Sequence, residues 1–287
     1  MLYTCLFCKS TKHTNSKFEN TFFNNKIFSY LKCTTCGLIQ VNPLPDDDDY
    51  SKMYPSDYYN FKKHEAIGTY NSYFNKLNSL GNYKSFLDFG CGNGKMIAEA
   101  LNHNYRVTGT DIGSDLISQL KKNYPNATFI EIKDFYNLNA LYDIIFVSNV
   151  FEHLINPTEV LERLITKLTP NGILIAEGPI ENNFSIASAF RKVFFGIRKF
   201  FGKNVSHAPR HIFYSNYSNQ LQFFKNSTLK VVEYNCYEIA WPFPKNIQDV
   251  KSISQLIFWC IAKLSIYFSR LSIKQGTVFN FIGKKYK

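Results

Sequence analysis

Between residues 86 and 177 the chain alternates short apolar runs with stretches of helical periodicity, and few folds accept that rhythm. Phe86-Leu87-Asp88-Phe89 reads as a buried strand, followed by a glycine turn and a helix through Met96, Ile97, Ala100 and Leu101. Residues 106–111 read as a second strand ending in Asp111, residues 114–123 as a helix, and residues 128–132 as a third strand with Asp134 just beyond it. The fourth, residues 142–148, is almost wholly apolar, as a strand covered on both faces must be. Asn156-Pro157-Thr158-Glu159 opens the next helix, with Asn at the cap, Pro at the first position and Glu at the third. Pro170-Asn171-Gly172 then turns into a fifth strand, residues 173–177. The expected class is α/β, a doubly wound, mostly parallel sheet.

Ligands of such sheets lie beyond the carboxyl ends of the strands. There the expected site gathers the loop Gly90-Cys91-Gly92-Asn93-Gly94, Asp111, Asp134 and residues 148–153. The loop reads Asp-x-Gly-x-Gly-x-Gly, and Lys95 stands where a dinucleotide fingerprint places its third glycine. A pyrophosphate is therefore disfavoured. A ligand carrying an ammonium and a nucleoside suits the acids: Asp88 for the ammonium or for ordering the loop, Asp111 for a ribose diol, Asp134 for an adenine amine.

These segments resemble class I methyltransferases that use S-adenosylmethionine (SAM). Leu87 to Gly94 is similar to their first motif, Thr110-Asp111-Ile112 to the acidic second, and Val147 to Leu154 to the stretch after the fourth strand in the small-molecule branch. Leu168 to Leu174 is similar to their turn into the fifth strand. The likeness spans about residues 85–178 and, more weakly, 210–285. It implies a seven-stranded Rossmann-like sheet and a SAM site formed by Asp88, Gly90, Cys91, Gly92, Asn93, Asp111, Ile112, Asp134, Phe135 and Asn149.

The amino-terminal region carries a separate signature. Of 7 cysteines, four fall in two pairs, Cys5-Leu6-Phe7-Cys8 and Cys33-Thr34-Thr35-Cys36-Gly37. Two C-x-x-C knuckles make a thiolate cage for one structural zinc, held by Cys5, Cys8, Cys33 and Cys36. The insert between them, residues 22–31, suits a short hairpin. Cys91, Cys236 and Cys260 stand alone and read as buried residues. Ribbon plus methyltransferase-like domain is similar to the arrangement of bacterial methyltransferases of glycan and natural-product pathways.

The expected organisation is a zinc ribbon at 1–45, a linker and helical extension at 46–80, and the catalytic domain at 81–287. Asp46 to Asp49 mark a solvated turn or helix start, and Tyr70, Tyr73, Phe74, Leu77 and Leu80 recur at helical spacing. Two insertions interrupt the domain. Residues 182–206 mix Phe184, Phe190, Phe194 and Phe195 with Arg191, Lys192 and Arg198, as a lid or a membrane-touching segment would. Residues 241–273 contain an apolar run broken by Lys263 and Arg270, which reads as a helix burying one face or lying at an interface. Residues 231–238 and 278–283 are expected as the last, antiparallel strands.

His207-Ala208-Pro209-Arg210-His211-Ile212-Phe213-Tyr214-Ser215 resembles the His-x-x-Phe-Ser segment of the same branch, which puts His211 at the acceptor. Methyl transfer to a hydroxyl needs a base, and His211, His153 and His207 are the candidates, ahead of Glu152 and Glu181. The formal net charge of +11 favours an anionic partner. The expected acceptor is a small carbohydrate, phosphorylated or lipid-linked, with peripheral membrane contact. The start of the chain reads as no secretion signal, so a cytoplasmic location is expected. A nucleic-acid substrate is disfavoured because Ser148-Asn149-Val150-Phe151 occupies the place of a base-methylation motif, but a zinc-ribbon RNA methyltransferase and a non-catalytic SAM-binding scaffold remain as rivals.

Overall fold

The computed structural model describes residues 3–55, 70–190, 208–239 and 246–286. His207 and most of the basic aromatic insertion, residues 191–207, lie outside them.

The amino-terminal module has four strands, β1 (His13–Asn15), β2 (Thr21–Phe23), β3 (Lys26–Cys33) and β4 (Ile39–Asn42). The expected hairpin is β2–β3. Its two turn residues, Asn24 and Asn25, take φ of 50° and 58°, the left-handed pair that a twisted two-residue hairpin requires and that Asn tolerates. Then come α1 (Asp47–Met53) and α2 (Asn71–Leu80). Asp46 caps α1 in a capping box with Asp49, so the acid run is a helix start. It is not wholly solvated: Asp49 is buried and accepts from Lys26 Nζ at 2.8 Å.

The main sheet runs β5 (Ser85–Phe89), α3 (Lys95–Asn102), β6 (Arg106–Asp111), α4 (Ser114–Asn123), β7 (Thr128–Glu131), α5 (Ile132–Phe135), β8 (Tyr142–Ser148), α6 (Pro157–Thr166) and β9 (Leu168–Pro179). After it come β10 (Phe213–Tyr214), α7 (Tyr217–Lys225), β11 (Leu229–Tyr237), α8 (Ile253–Leu271) and β12 (Val278–Lys285). Seven strands pair in the order β11-β12-β9-β8-β5-β6-β7. The pairs among β5 to β9 are parallel, whereas β12 lies antiparallel to both β9 and β11. This is the seven-stranded Rossmann-like sheet that the motifs implied. β5 and β8 adjoin at its centre, and the chain crosses to opposite sides from them.

Two local expectations need correction. Asn156 sits at the N-cap of α6 with Pro157 at N1, but its side chain makes no cap bond and Glu159 instead pairs with Arg163 at 2.7 Å. Pro170 to Gly172 lie inside β9, not before it. Asn171 there takes φ 65°, and the β8–β9 register shifts between Tyr142 and Ile144.

The ribbon packs into the same core as the sheet. β10 comes from far down the chain and pairs antiparallel with β4, Phe213 opposite Gln40 and Tyr214 opposite Ile39. Phe7 stacks on Phe223 of α7 at 4.5 Å and meets the edge of Phe213 at 4.9 Å. Tyr30 stacks on Tyr214 at 5.1 Å. A module too small to close a core alone thus shares one with the main domain.

Candidate functional site

The cleft lies where parallel strands β5, β6 and β8 end, the place a doubly wound sheet offers to a ligand. Gly90 follows β5 at φ 76°, and a Cβ there would stand 2.4 Å from Val150 Cγ2. Only glycine lets the two loops approach so closely. The amides of Gly90 and Cys91 both donate to Thr110 O, at 2.8 and 3.0 Å. Asp111 accepts from Gly92 N at 2.9 Å and from Ile112 N at 2.8 Å. Its carboxylate therefore ties the glycine loop to the end of β6 before any ligand arrives. Burial raises its pKa, and the two amides work against that rise.

Asp88, the acid at the head of the loop, is buried at 3% exposure, and no hydrogen bond reaches its carboxylate among the described residues. Burial, with Asp111 and Glu177 nearby, pushes its carboxyl up to about 8. It lines a hollow of about 160 Å³ with Glu177, Cys91, Asn93, Lys95 and Tyr70. A buried acid beside two others, with no ion pair among the described residues, has room to receive a positive group. Glu177 was read only as the end of an apolar strand. Its isolation as the one acid among Ile173, Leu174, Ile175 and Ala176 is the signal that would have found it.

Gly90 and Ser148 also line a second hollow of about 390 Å³, whose other walls include Ile112, Ile132, Asn149, Val150 and Leu154. Ile112 is 56% exposed, free to cover a flat ring. Asn149 takes φ 52°, uncommon for a side-chain-bearing residue, and its amide donates to Glu177 O at 2.9 Å. Ser148 Oγ donates to Glu177 Oε1 at 2.8 Å. Of the expected cofactor residues, Asp88, Gly90, Cys91, Gly92, Asn93, Asp111, Ile112 and Asn149 come together here. Asp134 sits exposed on α5 and does not line either hollow, and Phe135 points its ring into the core against Phe89. The short helix α5 turns them away, and Ile132 takes the wall position.

Past Leu154 the wall changes chemistry. His153, half-buried beside Tyr54, is within reach of Tyr54 Oη at 2.9 Å and Arg210 O at 2.8 Å through Nδ1. Burial and the neighbouring His211 lower its pKa to about 4, so it is neutral at pH 7. His211 packs edge-on to it at 4.9 Å and hydrogen-bonds through Nδ1 to Glu181. Burial alone would lower the His211 pKa, but the Glu181 carboxylate outweighs it and the net shift is upward. Glu152 lies beneath both rings at 3% exposure, with its carboxyl pushed up to about 8 by burial. Ligand atoms of Glu152, His153 and His211 lie within 4.8 Å of one another. His211 and Glu181 open onto a third hollow of about 590 Å³, lined also by Phe18, Tyr30, Arg210 and Tyr214. The ribbon supplies Phe18 and Tyr30, so this hollow is walled by both parts of the chain.

The four paired cysteines converge as their spacing requires. Cys5 Sγ is 3.5 Å from Cys36 Sγ, Cys8 Sγ is 3.5 Å from Cys33 Sγ, and all four sulfurs lie within 4.8 Å. A disulfide would need about 2.05 Å. A tetrahedron of sulfurs around zinc has edges of about 3.8 Å, close to what is seen. Each knuckle ends on a left-handed residue, Lys9 at φ 60° and Gly37 at φ 77°. Cys91 and Cys236 are buried as expected, but Cys260 is exposed.

Comparison with known proteins agrees with this geometry. The family described as "Methyltransferase domain" matches residues 87–174. The ubiquinone biosynthesis O-methyltransferase of Rickettsia canadensis is 29% identical over 113 residues, 36% of this chain and 44% of that protein. The trans-aconitate 2-methyltransferase of Rhodopseudomonas palustris is 31% identical over 96 residues, 32% of this chain and 37% of that protein. The chain thus spans less than half the length of these curated relatives. Among solved structures, the plantazolicin methyltransferase BpumL in complex with SAH is 18% identical, with 84% of this chain and 86% of that one covered and a TM-score of 0.48.

Proposed function

We propose that the chain transfers a methyl group from SAM to a hydroxyl of a small polar acceptor, a sugar or glycan precursor in nucleotide-linked or lipid-linked form. The observation that carries the reading is the buried Asp88 carboxylate, without a hydrogen-bond partner among the described residues, at the head of a glycine loop already braced by Asp111. It suits the ammonium of an amino-acid-bearing cofactor. Asp111 keeps lone pairs for a ribose hydroxyl, and Ile112, Ile132 and Leu154 give adenine an apolar slot. SAM supplies an electrophilic methyl on a sulfonium. The chain's own task is to align the acceptor and remove its proton. His211, with Glu181 on Nδ1, is the base in this reading, and its Nε2 is the atom that takes the proton.

The four cysteines hold one structural zinc in the same reading, since four thiolates leave no position for water. The preference for a sugar rests on the size of the third hollow, on aromatic walls with Glu181 and His211 among them, and on Arg210, which suits a phosphate. A screen of nucleotide sugars and glycolipids with SAM, read as SAH release and methylated product, tests the acceptor class. A methylated sugar hydroxyl is expected. Robust methylation of RNA with none of any sugar overturns the acceptor class, and SAH release with no acceptor modified in either group sends the search to other small acids and alcohols.

A further inference from the structure

Helix α8, Ile253–Leu271, is turned inside out with respect to the domain that carries it. Its buried residues are Ala262, Ser265 and Ser269, spaced three and four apart on one face. That face is small and polar. Ser265 Oγ donates to Glu238 at 3.0 Å and accepts from Ala187 N at 3.1 Å, and Ser269 Oγ accepts from Glu238 N at 3.3 Å. The opposite face carries the large apolar side chains: Ile253 is 81% exposed, Ile257 51%, Leu264 52%, Tyr267 58% and Leu271 66%. At 100° per residue these five fall within one broad stripe. A domain helix normally turns such a stripe to the core. Here hydrogen bonds through small side chains hold the polar face down, and the apolar face is left for something outside.

Charge identifies that something. Lys263 and Arg270, seven residues apart, run along one flank of the stripe, and Lys251 and Lys274 lie just beyond the two ends. No Asp or Glu occurs after Asp249. Pairing this face with a second copy would set cations near cations with no acid to meet them. An anionic bilayer offers acyl chains to the stripe and phosphates to the flank. The helix is about 28 Å long, and its polar face is tied to the sheet through Glu238, so it can lie along a surface. Among the described residues no helix is long and apolar enough to cross a membrane.

We propose that α8 is a membrane-docking helix that lies in the plane of an anionic lipid surface, with Ile253, Leu264 and Leu271 in the acyl boundary and Lys263 and Arg270 on lipid phosphates. The inference is independent of the methyl-transfer reading, because α8 lines none of the three hollows.

Co-sedimentation of the full chain with phosphatidylcholine vesicles, with and without phosphatidylglycerol, tests it. Binding is expected to the anionic vesicles and to weaken as salt rises. Leu264→Glu with Leu271→Glu should weaken it by about tenfold or more. Lys263→Glu with Arg270→Glu should remove most of the preference for phosphatidylglycerol, again by about tenfold. All four side chains are exposed, so circular dichroism and SAM affinity should match the parent protein. Failure of the parent protein to bind anionic vesicles overturns the proposal, as does undiminished binding by the Leu264→Glu, Leu271→Glu variant. A dimer in sedimentation velocity that Leu264→Glu dissociates, without vesicle binding, assigns the face to a second copy and overturns it too.

Discussion

The two ends of the cleft are held in place by different means. At the Asp88 end, one β-α-β stretch, residues 85 to 112, supplies the glycine loop, Asp88 and Asp111, and backbone amides lock Asp111 from within that same stretch. At the His211 end nothing is local. Glu152 follows β8, Glu181 follows β9, His211 precedes β10, and Tyr50 comes from α1, with its hydroxyl donating to His153 O at 2.5 Å. The His211 segment is fixed by β10 on ribbon strand β4, and by Ile212 N donating to Glu152 O at 2.6 Å. A site anchored by its own loop tolerates distant change. A site assembled from four elements depends on the packing of each, including the cysteine knuckles.

Substitutions should separate the two ends. The largest effect is expected from His211→Ala: turnover falls by about 10²–10⁴-fold while SAM affinity, read by calorimetry, stays within about twofold. Glu181→Gln should cost less and move the profile. Because Glu181 holds the His211 pKa up, kcat/KM should rise with pH through that raised value, and loss of the carboxylate should shift the rising limb to lower pH. A limb that stays put removes Glu181 from the role.

Asp111→Ala reverses the pattern, weakening SAM binding by about one to two orders of magnitude, the scale of lost charge-assisted hydrogen bonds and of a loosened glycine loop. Unchanged affinity in a folded variant would break the assignment.

Cys33→Ser sharpens the contrast most. If zinc holds the knuckles, metal content should drop from one per chain and turnover should fall by about tenfold or more, because β4 no longer steadies β10 and His211. SAM affinity should barely move. Equal loss at both ends would mean the ribbon serves general stability alone.

The smallest effect concerns protons. Without cofactor the Asp88 carboxyl titrates near 8, so it is mostly protonated at pH 7. An ammonium beside it favours the ionised form, so binding releases a proton and SAM affinity should climb several-fold between about pH 6 and 8. The same raised value means that the cofactor-free fold loses stability as pH rises from the ordinary carboxylate range, about 4, through 8, and that SAM offsets the loss. Asp88→Asn should flatten both curves.

How much of this was legible in the chain follows the same division. The strand-loop-helix rhythm, the glycine spacing, Asp111 and the cysteine pairs all lie in short windows, where residue type and spacing decide backbone conformation directly. Eight of the ten expected cofactor residues line the cleft for that reason, and Asp134 and Phe135 miss it because the four-residue helix α5 reorients them by a local turn that hydropathy does not encode. His211 and His153 were named, but their partners were not. Glu181 on one ring, Tyr54 on the other and Glu152 close to both are juxtapositions across as many as 99 residues, as between Tyr54 and His153.

The apolar run at 252–273 shows the limit most plainly. Sequence alone fixed that it is a helix with a stripe, since period and composition set both. Which face meets the protein was decided by the tertiary structure, because the buried Glu238 carboxylate needs hydroxyl donors and finds them in Ser265 and Thr277, while Ser269 accepts from the Glu238 amide. Satisfying one buried carboxylate outweighs turning the larger side chains inward, and no pattern within the helix itself announces that a distant acid will make the demand.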